Sequence, residues 1–182
     1  MTPREKVQQQ IIAFAEATPS RKEEARRLVE LIAFAPRAAY RDNFYPGHLT
    51  GSAWVVDPAS GKVLLLHHAK LGRWLQPGGH ADGEYDLAAV ALREAREESG
   101  LSSLALYSDN IFDIDIHSIP ARAHEPAHLH FDVRYVIRAD STEAPCINHE
   151  SHNVAWIEVA NIEQLTSDRS VLRMAQIWLG DG

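Results

Sequence analysis

Residues 92–100 read LREAREESG, and the side on which the three carboxylates fall decides how the chain is organised. Asp86 is suited to cap a helix start and Gly100 to take the left-handed position just past a helix end, so a helix is predicted over 87–99. At about 100° per residue, with Leu87 at zero, Leu87, Ala88, Ala91, Leu92 and Ala95 fill an arc of about 140°. Glu98 falls near about 20°, inside that arc, and Glu94 near about 340°, at its edge. Glu97 lies on the flank, one turn after Arg93 and able to pair with it. A solvated charged face would carry its glutamates opposite the apolar stripe. A carboxylate taken out of water without a partner costs several kcal/mol or becomes protonated. No lysine or arginine at helical spacing shares that face with Glu94 and Glu98. A divalent cation would satisfy both, and oxygen-only donors suit Mg²⁺ or Mn²⁺.

Just upstream, Pro77-Gly78-Gly79-His80 reads either as a simple tight turn or as bare backbone brought to the N-terminal side of the helix. In the second reading its carbonyls can coordinate a cation and its N–H groups can meet phosphate. Strands are predicted over 49–56 and 62–66, joined by the turn Asp57-Pro58-Ala59-Ser60-Gly61, and near 103–107, 111–118, 129–138 and 153–158. Closing helices are predicted over 161–165 and 171–179. At the other end, Thr2-Pro3-Arg4-Glu5 and Ser20 with Glu23 each form a capping box. The apolar residues Val7, Ile11, Ile12 and Ala15, then Ala25, Leu28, Val29 and Ile32, recur at helical spacing. The result is an αα-hairpin over about 2–35, which divides the chain into a hairpin extension (1–40) and a mixed α/β domain (41–182) with helices on both faces of its sheet.

The 182 residues, 45% of them apolar, suffice for one domain with a real core, and a net charge of −7 argues against nucleic-acid binding through clustered basic residues. The lone Cys146 forms no internal disulfide and points to a reducing cytoplasm. Residues 1–10 lack the apolar core of a secretory signal, and no apolar run approaches a membrane span, so no membrane partner is expected.

The stretch GHADGEYDLAAVALREAREESGL, residues 79–101, resembles the signature of the Nudix hydrolases. Arg93, Glu94, Glu97, Glu98 and Gly100 match the second half. In the first half Tyr85 stands where the family has a glutamate, with Glu84 one residue early, so the role of Glu84 is left open. The resemblance covers about residues 45–182 and implies a Nudix α/β/α sandwich. It implies a metal-dependent pyrophosphohydrolase that cleaves a nucleoside diphosphate linked to another moiety. It further implies that Glu94, Glu97 and Glu98 hold Mg²⁺ or Mn²⁺ with the Gly79 carbonyl, and that Arg93 orients Glu97. Glu94 is one candidate for the general base, and Glu150, on a distant loop, is the other. Two alternatives stand beside this reading. One is a non-catalytic nucleotide-binding sensor of the same fold. The other is an isomerase like the isopentenyl diphosphate isomerases, whose chemistry uses a cysteine near the glycine loop.

Nine of the ten histidines lie between His67 and His152. In a strand, His128, His130 and Asp132 share one face. They line the substrate pocket, hold a second metal, or form a polar outer face. His80, directly after the glycines, is placed beside substrate or cation, and of His67 and His68 at most one faces the site. Phe44, Tyr45, Trp54 and Trp74 are candidate stacking platforms for a base. The hairpin has three open uses: to brace the domain, to lid the pocket, or to form a homodimer contact.

Overall fold

The computed structural model describes residues 1–122, 124–146 and 151–180. The N-terminal hairpin consists of α1 (Pro3–Ala17) and α2 (Lys22–Phe34). Its first capping box forms as expected: Glu5 N–H donates to Thr2 Oγ1 at 3.2 Å, and Thr2 N–H to Glu5 at 2.7 Å. The second does not form. Residues Pro19–Arg21 take a 3₁₀ turn, and α2 starts at Lys22 without a side-chain cap. Pro19 fixes the turn that the capping pattern assigned to Ser20.

The domain that follows runs β1 (Gly47–Asp57), β2 (Lys62–His68), β3 (Arg73–Leu75), β4 (Gly78–His80), α3 (Leu87–Ser99), β5 (Ala105–Leu106), β6 (Asp113–Ile119), β7 (His128–Arg138), β8 (Ser151–Glu158), a 3₁₀ segment (Val159–Gln164) and α4 (Arg169–Leu179). All eight strands join one mixed sheet, as expected. The strands over the glycines and over 73–75 were not expected, because each is too short to show a period. The predicted helix over 161–165 is the 3₁₀ segment, six residues long, between β8 and α4.

β1 is the organising strand and is buried along its whole length. It runs parallel to β7 from Gly47 opposite Leu129 to Val56 opposite Arg138. On its other edge, β4 pairs with Thr50–Ser52 and β2 with Val56 and Asp57. β7 is flanked in turn by β6 and β5. Alternation along the strands then sorts the two faces. Leu49, Ala53, Val55, Phe131, Val133 and Tyr135 pack against α1, α2 and α3. Trp54, Val56, Leu65 and Val136 pack against Val171, Met174 and Ala175 of α4. Gly51 marks where α3 rests on β1, since a Cβ there would come within 2.9 Å of the Leu87 carbonyl and Val90 Cγ1.

Trp54 is therefore core, stacked on Phe112 at 6.4 Å, and no base platform. Most of the apolar stripe of the hairpin is buried within the same chain: Val7, Ile11, Leu28 and Ile32 join the core that holds Leu49 and Phe131, while Ile12 is exposed. The hairpin thus braces the domain, and Arg21 ties it to the sheet by donating to the Ile114 carbonyl at 2.5 Å. Among the described residues no helix is long and apolar enough to cross a membrane.

Candidate functional site

Two polar regions meet along β4. The first is the carboxylate edge of α3. This helix spans the predicted residues, with Asp86 capping Ala89 N–H at 3.1 Å and Gly100 left-handed at φ 67°. Glu98 is buried at 8% exposure, as its place in the apolar arc requires, while Glu94 is half-buried and Glu97 exposed. The chain already offers Glu98 a donor: Gly78 N–H reaches its carboxylate at 2.8 Å.

Glycine is required at position 79 for a related reason, because a Cβ there would collide with the Glu94 carboxylate. The glycine backbone therefore meets the second half of α3. The expected approach to the helix N-terminus is not found, because Asp86 already occupies that end. Arg93 does more than expected. Its guanidinium forms the expected ion pair with Glu97 at 4.0 Å, and it also donates to Glu94 at 2.8 Å and to the His80 carbonyl at 3.0 Å. A long, flexible side chain adjacent to Glu94 in sequence supplies the cation that helical spacing alone did not reveal. Glu84 accepts from Asp86 N–H at 2.7 Å and so serves the turn ahead of α3, and Tyr85 packs into the core. Glu150 lies outside the described residues.

The second region is the half of the opposite sheet face that α4 leaves polar. Parallel pairing puts His48 opposite His130, Thr50 opposite Asp132 and Ser52 opposite Arg134. β6 adds His117 opposite His130, Asp115 opposite Asp132 and Asp113 opposite Arg134, and β4 adds His80 opposite Thr50. At one end the charges are paired within the face. Asp132, 2% exposed, accepts from Thr50 and Ser52 at 2.8 Å each and from Arg134 at 2.8 Å. Arg134 also donates to Asp113 at 2.9 Å, and Arg173 of α4 reaches Asp113 at 2.7 Å and Asp115 at 3.0 Å. Asp132 is thus an internal anchor of this network, and the substrate-contacting place given to it from sequence is corrected accordingly: three donors hold its carboxylate.

The other end is imidazole. Rings of His128, His80 and His130 lie 4.9, 5.1 and 4.8 Å from that of His48, and His117 lies 5.4 Å from His130. Burial, then crowding by neighbouring histidines, holds His48 down to about 4 and His130 further below the ordinary 6.5. His80 is lowered as well, by burial and by Arg41. His48 was missed because its partners lie far along the chain. The signal was there in β1, where His48, Thr50 and Ser52 alternate as the polar residues of β6 and β7 do.

The sequence profile described as the NUDIX domain matches residues 47–175. The chain belongs to the Nudix hydrolase family. The match begins at β1 and ends within α4, and the α1–α2 hairpin lies before the matched residues. No curated protein matches the chain in sequence. Among solved structures, this Nudix chain is similar to an Ap4A hydrolase of C. elegans in a binary complex (TM-score 0.56, 19% identity, 74% of this chain and 98% of that one). It is similar to the dihydroneopterin triphosphate pyrophosphohydrolase of E. coli (0.55, 12%, 74% and 96%) and to a Nudix hydrolase of M. smegmatis (0.51, 20%, 72% and 81%). At these identities the likeness is one of fold.

Proposed function

We propose that this Nudix hydrolase is a divalent-cation-dependent pyrophosphohydrolase that cleaves the diphosphate of a nucleoside diphosphate linked to another moiety. The observation that carries the reading is Glu98, a carboxylate set inside the apolar stripe of α3 against bare glycine backbone. Glu94 and Glu98, with Glu97 at the rim and the Gly79 carbonyl, form an all-oxygen donor set that fits a hard cation, and the missing Cβ at Gly79 lets its backbone approach Glu94. A bound Mg²⁺ or Mn²⁺ would neutralise the pyrophosphate and lower the pKa of water on it.

The chain's own groups position the rest. Gly78 N–H fixes the Glu98 carboxylate, and Arg93 braces Glu94 while its second hydrogen bond holds the β4 carbonyl at His80. Glu94 is assigned as acceptor of the proton from the attacking water; Glu150 is the second candidate. His80, next along β4 from Gly79, is placed to contact the phosphates. His128 and His130 stand on the opposite face of the sheet from Glu94, so no phosphate contact is assigned to them. The names of the structural relatives, for Ap4A and for dihydroneopterin triphosphate, support a nucleotide-like substrate containing a phosphoanhydride. The isomerase alternative loses ground because the cysteine lies elsewhere: Cys146 packs against Gly100 at the C-terminal cap of α3.

The test is phosphate or nucleotide release across a panel of nucleoside diphosphate derivatives with Mg²⁺ or Mn²⁺. Turnover that stops on chelation and on Glu98→Gln is expected. Tight, chelator-insensitive nucleotide binding without turnover would return the sensor alternative.

A further inference from the structure

We propose that His48, His128 and His130 form a second metal site, separate from the carboxylate edge and built for a borderline divalent transition ion, Zn²⁺ foremost. This inference is independent of the hydrolytic reading, since it rests on the opposite face of the sheet. Among the described residues, these three are the group whose ligand atoms all lie within 4.8 Å of one another. A tetrahedral shell with metal–nitrogen bonds of about 2.1 Å spaces its ligands about 3.4 Å apart, so small ring pivots close the site.

The hydrogen bonding sets the rings for ligation. A carbonyl can only accept, so His128 Nδ1 donates to the Pro126 carbonyl at 2.8 Å, and His48 Nδ1 donates to the Asn43 carbonyl at 3.3 Å. In both rings this leaves the lone pair on Nε2, the arrangement by which backbone carbonyls orient metal-bound histidines. His48 is 1% exposed, and no protein group among the described residues hydrogen-bonds its Nε2. Leaving such an acceptor buried and unsatisfied costs about 1–3 kcal/mol, and a metal ion removes that cost.

The fold also makes the site stiff. His48 and His130 sit opposite each other in the parallel β1–β7 ladder, and His128 stands two residues along the same face. Phe44 packs edge-on against His128 at 5.2 Å. Imidazole nitrogen favours Zn²⁺, Cu²⁺, Ni²⁺ and iron over Mg²⁺, so the two sites select different ions by ligand type. Three imidazoles leave a tetrahedral ion one position for water or for an anionic oxygen of a ligand. His80 links the regions, since it borders this cluster while its neighbour Gly79 meets Glu94.

The test is titration with Co²⁺, followed by its displacement with Zn²⁺, in the full chain carrying Glu98→Gln, which weakens the oxygen site. One equivalent of Co²⁺ with the strong visible absorption of tetrahedral coordination is expected, displaced by one equivalent of Zn²⁺. His130→Gln and His128→Gln, each checked for native circular dichroism, should weaken binding by about tenfold or more, the scale that loss of supporting groups alone reaches. His117→Gln, outside the triad, should leave it unchanged. Absence of tetrahedral bands in the Glu98→Gln chain overturns the site whatever the histidine variants do. Equal affinity in a folded His130→Gln chain overturns it too.

Discussion

The carboxylate edge of α3 and the polar half-face across β1, β6 and β7 solve the same physical problem in different ways. Both hold groups that water would otherwise solvate. On the half-face, guanidinium and hydroxyl donors from neighbouring strands meet the carboxylates of Asp113, at 0% exposure, and Asp132, at 2%. On α3, Glu98 accepts from the Gly78 N–H, Glu94 is braced by Arg93, and Glu97 is exposed. The acidic end of the half-face is thus cross-linked by arginines of β7 and α4, whereas the helix edge sets its carboxylates against the glycine backbone of β4. Buried charge alone does not mark a catalytic site; what separates the two is the surroundings, side chains of several strands on the half-face and bare glycine backbone at the helix edge.

That contrast can be broken by mutation, and the largest effect should come from the helix edge. Glu98→Gln is expected to lower hydrolysis by on the order of 10²–10³, the scale of losing one preorganised electrostatic group, while the urea midpoint stays close to wild type. Arg134→Met should do the reverse. Removing one partner from a buried ion cluster costs about 3–5 kcal/mol, so equilibrium denaturation should show a large loss. Equal stability losses in the two variants would erase the distinction. Gly79→Ala lies between them: displacing Glu94 should cut turnover by on the order of tenfold with little change in stability, read by steady-state kinetics and thermal melting together.

The two regions also differed in how far sequence could show them. The helix edge was legible because its residues are neighbours in the chain. One period of 3.6 places Glu98 inward, and the structure buries it. The half-face is assembled by long-range pairing, and no local period announces that His48 will lie against His130. Alternation within 128–132 found two of its histidines and a common face, but not the three donors that occupy Asp132. Sequence spacing likewise missed that Gly78–His80 would become a strand, since three residues carry no period and the pairing depends on β1. The hairpin was legible to its first cap and misread at its second, where Pro19 overrode the box.

Smaller effects sharpen the comparison. Burial alone would raise Asp115, but the hydrogen bond from His117 and the charges of Arg134 and Arg173 outweigh it and hold the carboxyl below the ordinary 3.8. As pH falls, the unfolded chain therefore takes up this proton first, and stability present above about pH 4 drains away below it. Asp115→Asn should flatten the fall of the urea midpoint between about pH 4 and about pH 2. Smallest of all, Thr2→Ala should cost about 1 kcal/mol through the lost cap of α1, seen as a lower melting temperature with unchanged turnover.

Direct binding of Mn²⁺ to the intact chain, followed by electron paramagnetic resonance, tests the claim that the carboxylates of the α3 edge hold a cation. Wild type should take up Mn²⁺, and the folded Glu98→Gln chain should bind it at least about tenfold more weakly. Equal uptake by both chains, or none by wild type, would contradict the account.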